Sequence, residues 1–277
     1  MPLALAALIT AAVSAIAVAA MLLVRRRAPE GSFFEDGDRA SGVFGVLATG
    51  FFLLLGFIIF LAFESYDESR TGAETEATVV GQQIQTAQFF PAAVAPELTG
   101  ELLCYGRSVV ADEWERMREG TQGDAINPWG VALFTTLRTV APETATEQSA
   151  YDKWLDQTSD REAARLDRIH GAVGVIPAPL WVVLFFAAGP IFVYMLFFAD
   201  SAERAVVQGM LAGSVAAVIT ASLLTLSVLD SPFKEGLGGL QPTAMERTLR
   251  QLTEGLDEVG IAVRLPCDES GAALESP

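Results

Sequence analysis

The chain has 277 residues, a formal net charge of −16 and a hydrophobic content of 51%, and its mean hydropathy is +0.38. That hydrophobic content is high for a soluble domain. The negative charge excludes nucleic acids and anionic lipid surfaces as expected partners, because both favour proteins rich in Lys and Arg. We therefore expect a membrane protein that binds no nucleic acid.

Four uncharged segments are each long enough to cross the hydrocarbon core of a bilayer, which takes about 20 apolar residues in a helix. They cover residues 3–24, 42–63, about 178–199 and 205–229. The first segment is open to a second interpretation as a signal peptide. Its basic cluster, Arg25 to Arg27, follows the apolar run instead of preceding it, which favours a retained span. The sequence therefore predicts four spans in a multi-pass protein of the cell membrane.

The loops at residues 25–41 and 200–204 are short and contain arginines. Short basic loops tend to stay in the cytoplasm. We therefore expect the N-terminus, the large region at 64–170 and the C-terminal tail to be extracytoplasmic. Basic residues also lie near that opposite face, so the arginine cluster beside the first span decides the expected orientation.

The region between the second and third spans predicts a helical module over residues 64–170. Helical spacing of small and apolar residues continues the second span outward to Pro91, and further helices are predicted over 96–119, 127–140 and 143–169. The transmembrane hairpins are predicted at 1–63 and 171–229. The tail, 230–277, carries an amphipathic helix at 242–259. The predicted fold class is all-α: a four-span transmembrane helical bundle with a helical extramembrane module and an amphipathic C-terminal helix.

The chain has two cysteines, Cys104 in the module and Cys267 in the tail. Both fall on the expected oxidising side, which indicates a disulfide that ties the tail to the module. The alternative is two unrelated buried thiols.

No spacing typical of zinc ligands, phosphate-binding loops or nucleophile motifs is present in the sequence. The acidic stretch "ADEWERMRE" is interpreted as a solvated charged helix. We therefore expect no catalytic residue, no cofactor, no metal site and no enzyme activity.

Four stretches, taken in order, resemble a known family. They are "YDESRTGAETEA" (66–77), "CYGRSVVADEWERM" (104–117), "RLDRIHGAVGVIPAPLW" (165–181) and "LDSPFKEGLGGLQP" (229–242). Together they are similar to the bacterial four-span membrane proteins described as bestrophin-like, whose function is largely uncharacterised. The resemblance implies a four-span bundle with long helices between spans two and three. It also implies distant kinship to the bestrophins, which are pentameric anion channels with a cytosolic helical region, so the sidedness of the module stays open.

If the second span lines a pore, its candidate lining residues share one helical stripe: Phe52, Gly56 and Phe60, leading to Glu64 at the mouth. Pores can gate through apolar constrictions that lose water, so the absence of ionisable residues from the spans does not argue against a channel. The alternative interpretation is that these phenylalanines face lipid or pack within the bundle.

Charged residues are expected at one membrane interface. Asp67 and Arg70 follow the second span, Arg168 precedes the third and Asp230 ends the fourth. They form a candidate charge ring that acts as an ion-pair lock or a pore vestibule. Alternatively, they mark a structured boundary where the tail folds back over the module.

Small residues at four-residue intervals in the fourth span, Gly209, Gly213 and Ala217, favour close helix packing. The first functional hypothesis is an oligomeric ion channel, with the lipid bilayer, further copies of the chain and small inorganic ions as partners. The alternative is a non-conducting scaffold or envelope protein whose acidic outer module binds a partner.

Overall fold

A computed structural model of the chain describes residues 2–121, 126–260, 263 and 265–274. Helices dominate these residues, and no strand occurs among them apart from an isolated bridge between Cys267 and Ala273. The predicted all-α fold class is confirmed. The α-helices are α1 (Leu3–Arg25), α2 (Gly37–Ala87), α3 (Ala95–Ser108), α4 (Trp114–Arg118), α5 (Pro128–Leu137), α6 (Ala145–His170), α7 (Ala178–Phe197), α8 (Ala205–Leu229) and α9 (Thr243–Val259).

Helices α1, α2, α7 and α8 are long and apolar enough to cross a membrane. They coincide with the four predicted spans, and α8 has the predicted bounds. Helix α2 is one continuous helix of 51 residues. It begins at Gly37, before the predicted span, and continues outward to Ala87. It ends ahead of Pro91, because proline disfavours helical backbone in the residue before it.

The helix starts of the module follow local signals in the sequence. The Asn127 side chain accepts a hydrogen bond from the Trp129 backbone N–H at 3.0 Å and caps α5, with Pro128 at the first helical position. Thr144 and Glu147 form a reciprocal capping box at the start of α6. These side chains satisfy backbone N–H groups that have no partner inside the helix.

The described residues form two compact units. The first, here called the membrane unit, contains α1, α2 as far as Glu64, α7 and α8 (residues 174–230), and residues 235–238. The second, here called the outer unit, contains the other described residues. It therefore combines the predicted module with most of the predicted tail.

The membrane unit packs through one face of α2 and through a close contact between α1 and α8. A Cβ atom added to Gly209 or Gly213 of α8 would lie 3.3 or 3.0 Å from the Val18 side chain of α1. The absence of side chains at these glycines therefore lets the two helices approach, while Ala217 is half-buried further along α8. The α2 residues buried in this unit are Phe51, Leu55, Ile58 and Ala62.

The outer unit is built around a larger apolar core that includes Val80, Ile84, Leu98 and Trp154. Helices α2 and α6 come close at Gly72, where an added Cβ atom would lie 2.6 Å from the backbone nitrogen of Arg168. No side chain larger than hydrogen fits between these backbones. This approach sets the positions of the polar side chains around Arg168.

Candidate functional site

The predicted pore stripe is an exposed face of α2. Phe52, Gly56, Phe60 and Glu64 are all exposed, and the exposed fractions of the two phenylalanines are 39% and 59%. A Cβ atom added at Gly56 would have no neighbouring atom within 4 Å. The opposite face of the same helix is buried against α7 and α8. The stripe is thus available to line a pore, to contact another copy of the chain or to face lipid.

The four residues of the predicted charge ring have different surroundings. Arg70 pairs with Glu74 at 3.2 Å, and both side chains are more than half exposed. Asp67 is exposed, whereas Arg168 is fully buried in the outer unit. Arg70 and Arg168 therefore differ in their surroundings, one at the surface and one buried.

Asp230, the fourth member, joins the end of α8 to the start of α7. Its carboxylate accepts hydrogen bonds from the Ile176 backbone N–H at 2.8 Å and from the Trp181 indole N–H at 3.4 Å. A Cβ atom added to Gly174 would lie 3.1 Å from both carboxylate oxygens. The glycine therefore makes room for a carboxylate that holds the two ends of this hairpin together.

The outer unit contains a buried network of ion pairs centred on Arg168. The guanidinium donates to both Glu76 oxygens, at 2.5 and 3.1 Å, and to Glu113 at 2.6 Å. The Tyr105 hydroxyl donates to Glu76 at 2.6 Å. The side chains of Arg168 and Glu76 have no exposed surface.

A second arginine completes the charge balance. Arg165 donates to Glu113 at 3.2 Å, and the Asn127 amide donates to the same carboxylate at 2.9 Å. Two carboxylates thus face two guanidiniums. The guanidinium of Arg161 lies 4.8 Å from the centre of the Tyr105 ring, and it donates to Gln83 at 2.9 Å. Buried charges destabilise a fold unless they are paired. The equal number of carboxylates and guanidiniums therefore limits the cost of burying this network.

The pKa shifts of Glu113 and Arg168 favour the charged forms of both side chains. Burial opposes the charge of Glu113, but Arg168 and Arg165 outweigh it and lower the pKa of this carboxyl. Burial likewise opposes the charge of Arg168, but Glu76 and Glu113 outweigh it and raise the pKa of the guanidinium. Burial and the Glu76 charge raise the pKa of Tyr105, so its hydroxyl remains a donor. The ion pair between Glu113 and Arg168 therefore stays charged, and we call the buried network centred on Arg168 the clamp.

A π-helical turn, Val109–Glu113, lies between α3 and α4 and points Glu113 into this network. In a regular α-helix, Asp112 and Arg116 would follow Tyr105 and Val109 on the inward face. The extra residue of the turn advances that face by one position, so Glu113 and Met117 are buried instead. The interpretation of this stretch as wholly solvated was therefore wrong for Glu113. Asp112 and Arg116 remain at the surface, where they pair at 2.6 Å.

A cavity of about 450 Å³ adjoins the network. Ser108, Glu113 and Asn127 line its inner side, and tail residues 270–273 line the other. The Trp129 indole N–H donates to the Gly271 carbonyl at 2.7 Å. No group of three His, Cys, Asp or Glu side chains suited to a metal ion occurs among the described residues.

The tail is attached to α3 by a disulfide. Cys104 and Cys267 are bonded, their Cα atoms are 5.8 Å apart, and both residues are buried. The predicted pairing is present in the structure. The two cysteines are 163 residues apart in the sequence, so the bond closes a long covalent loop that includes α5 to α9.

One protein family and several solved structures are similar to this chain. The family model described as the Bestrophin-like domain matches residues 11–244. A bacterial bestrophin homolog from Klebsiella pneumoniae has a similar structure, with a TM-score of 0.66 at 12% sequence identity, covering 93% of this chain and 98% of that one.

Two further solved structures lead to the same fold. A point mutant of the Klebsiella homolog matches with a TM-score of 0.65 at 12% identity, covering 92% of this chain and 98% of that one. A structure described as a membrane protein, also carrying one substitution, matches with a TM-score of 0.64 at 14% identity, covering 94% and 98%. Among curated proteins, none is similar enough in sequence to match. At these identities the likeness is one of fold.

Proposed function

Because the chain belongs to the bestrophin-like family, we propose that this membrane protein is an oligomeric ion channel whose pore is lined by α2. The observation that carries the proposal is the exposed stripe of Phe52, Gly56, Phe60 and Glu64. The opposite face of α2 packs inside its own unit, so a ring of copies can turn the stripe toward a common axis. Phenylalanines on such an axis provide apolar constrictions, and Glu64 supplies charge at the mouth.

The exposed residues of α2 beyond Glu64 extend this proposal. Asp67 and Arg70 follow on the same exposed side at helical spacing. We place them in the vestibule of the pore. Arg168 and Asp230 serve a structural purpose in this proposal, because their side chains are engaged by the contacts described above.

The test of conduction is recording from the purified protein in planar bilayers. We expect Phe60→Ala to change unitary conductance or open probability by several-fold, because it removes a constriction. Phe186→Ala on α7 is the matched control, since Phe186 is an 80% exposed phenylalanine outside the stripe. Equal effects of the two substitutions contradict the assignment of the pore. A well-folded protein that never conducts favours the scaffold alternative.

We also propose that the outer unit and both termini lie outside the cytoplasm. The buried disulfide supports this orientation, because disulfides persist in oxidising compartments and are rare in the cytosol. The native cysteines are paired, so a single added cysteine is the only reactive thiol. Glu254→Cys on exposed α9 should react with a membrane-impermeant maleimide in intact cells, whereas Ser201→Cys between α7 and α8 should react only after permeabilisation. The reverse pattern inverts the topology and leaves the conduction test unaffected.

A further inference from the structure

One buried carboxyl of the outer unit has no ion-pair partner among the described residues. Glu101 of α3 and Thr136 of α5 are each 7% exposed, and the Thr136 hydroxyl donates to Glu101 Oε1 at 2.9 Å. Glu101 Oε2 is buried and, in the part of the chain that the structure describes, accepts no hydrogen bond. By contrast, Glu76 and Glu113 are both held by the Arg168 guanidinium. Glu101 therefore has no counter-charge for its ionised form.

The helix that faces Glu101 brings no charge to it. Helix α5 contains no ionisable residue from Pro128 to Leu137. Arg138, which follows α5, lies 6.0 Å from the centre of the exposed Phe134 ring. Glu97, one turn earlier on α3, is exposed, and its negative charge disfavours ionisation of Glu101. Neither α5 nor this turn of α3 therefore supplies a positive charge to the carboxyl.

The charged groups of the other neighbouring elements are engaged elsewhere. Helix α9 meets α3 at Gly106 through apolar side chains. Arg107 of α3 turns to the tail, where it donates to the Asp268 carbonyl at 3.0 Å. Glu162 of α6 pairs with Arg161, and the carboxylates of α2 and the π-helical turn belong to the clamp. No arginine among the described residues therefore offsets a negative charge on the buried carboxyl of α3.

The lack of a counter-charge makes the contact between α3 and α5 depend on one proton. Burial raises the pKa of Glu101 to about 7, although the Thr136 hydrogen bond opposes the shift. Below that pH the carboxyl keeps its proton and the contact joins two neutral groups. Above it, the closed contact holds an unpaired buried charge, which is unfavourable unless water reaches the carboxylate. The contact is therefore stable at low pH and is weakened as pH rises through the pKa of the closed state.

Helix α5 is the element that can move. It has 10 residues, fewer than an isolated helix needs to be stable in water, whereas α3 is fixed by the disulfide at Cys104. We propose that the contact between Glu101 and Thr136 is a pH-sensitive switch, which holds α5 on α3 when Glu101 is protonated and lets the C-terminal half of α5 open when the proton is lost. Because Trp129 of the same helix donates to the Gly271 carbonyl, this opening also weakens the hold of α5 on the tail.

Hydrogen–deuterium exchange of the purified full-length protein tests the switch. If opening returns the pKa of Glu101 from about 7 to its ordinary value of 4.5, the open population of α5 increases about tenfold between pH 6 and pH 8. After correction for intrinsic chemical rates, peptides from residues 130–137 should exchange about tenfold faster at the higher pH, and peptides from α8 should change less than about twofold. Glu101→Gln has no proton to lose and should abolish the pH dependence. Glu97→Gln, an exposed glutamate on the same helix, is the matched control and should keep a change of at least about fivefold.

Two results overturn the inference: a pH dependence in Glu101→Gln equal to that of the wild type, or exchange of α5 in the wild type that does not change with pH. If Glu101→Gln fails to fold, Thr136→Val replaces it. Loss of the hydroxyl removes the hydrogen bond that lowers the pKa of Glu101, so the increase in exchange should move to higher pH. A midpoint that stays in place or moves to lower pH contradicts the switch. These measurements do not require conduction, so they are independent of the proposed channel.

Discussion

Replacement of Arg168 by leucine tests whether the buried network holds the outer unit together. The substitution removes the guanidinium that pairs with Glu76 and Glu113. Glu113 keeps Arg165 and Asn127, whereas Glu76 keeps only the Tyr105 hydroxyl among the contacts described above. The variant therefore leaves one buried carboxylate without a counter-charge.

The expected cost follows from that unpaired charge. Breaking a buried ion pair from one side destabilises a protein by about 3–5 kcal/mol. At about 2–3 °C per kcal/mol for a chain of this size, the apparent melting temperature should fall by about 6–15 °C. The assay is tryptophan fluorescence during heating in mild detergent. Trp114, whose ring lies 5.8 Å from the Arg168 guanidinium, reports on the outer unit.

Two further variants make the reasoning refutable. Arg70→Leu removes an exposed pair on α2, which contributes about 0–1 kcal/mol and should shift the transition by no more than about 3 °C. Arg168→Leu combined with Glu76→Leu removes both charges and should be more stable than Arg168→Leu alone. Two results would refute a stabilising role for the network. One is a decrease in melting temperature of less than about 3 °C for Arg168→Leu, and the other is a double variant that is less stable than Arg168→Leu alone.

Three other perturbations have expected outcomes. Burial raises the pKa of Glu101 to about 7. The folded state then binds this proton more tightly than the unfolded state, so stability should fall as pH rises from about 4.5 to 7. Glu101→Gln should flatten that part of a pH series of denaturant titrations. Cys104→Ser should lower the free energy of unfolding by about 4–5 kcal/mol, and a reductant should then have no further effect on the variant. Gly72→Ala should lower the free energy of unfolding by about 1–3 kcal/mol, because the added Cβ atom pushes α2 away from the backbone of Arg168. Gly50→Ala is the control in open surroundings and should stabilise α2 by about 0.5–1 kcal/mol, measured by the same thermal unfolding assay.

The membrane helices and most helix ends are predictable from the sequence because local rules decide them. An uncharged apolar run of about 20 residues predicts a transmembrane helix. Asn127, Pro128 and Pro91 start or end helices through the backbone next to them. The disulfide was also predictable, because the expected topology puts both cysteines on the same, oxidising side of the membrane. Each of these predictions depends on residues close together in the sequence or on the side of the membrane where a segment lies.

The buried network was not predictable by the same means. Its members lie on α2, α3, α6 and the π-helical turn, with Asn127 at the start of α5. No local residue pattern predicts the π-helical turn that brings Glu113 into the network. One feature of the sequence points to this site: Gly72 lies inside a long predicted helix, four residues before Glu76 and therefore on the same helix face. Such a glycine weakens the helix unless another backbone approaches it. Which backbone approaches depends on the packing of α6, so the partner Arg168 could not be named from the sequence.

If the protein conducts ions as proposed, the continuity of α2 limits how the pore can open. The helix carries the exposed stripe at Phe52 to Glu64 and, three turns further on, the buried Glu76. A rotation by one residue turns the helix by about 100°, which would separate Glu76 from Arg168 and drive a side chain into the close approach at Gly72. That motion costs at least the 3–5 kcal/mol of a broken buried pair. In the proposed channel, gating by rotation of the whole of α2 is therefore disfavoured, and rearrangement of the phenylalanine side chains with wetting of the pore is the less costly route.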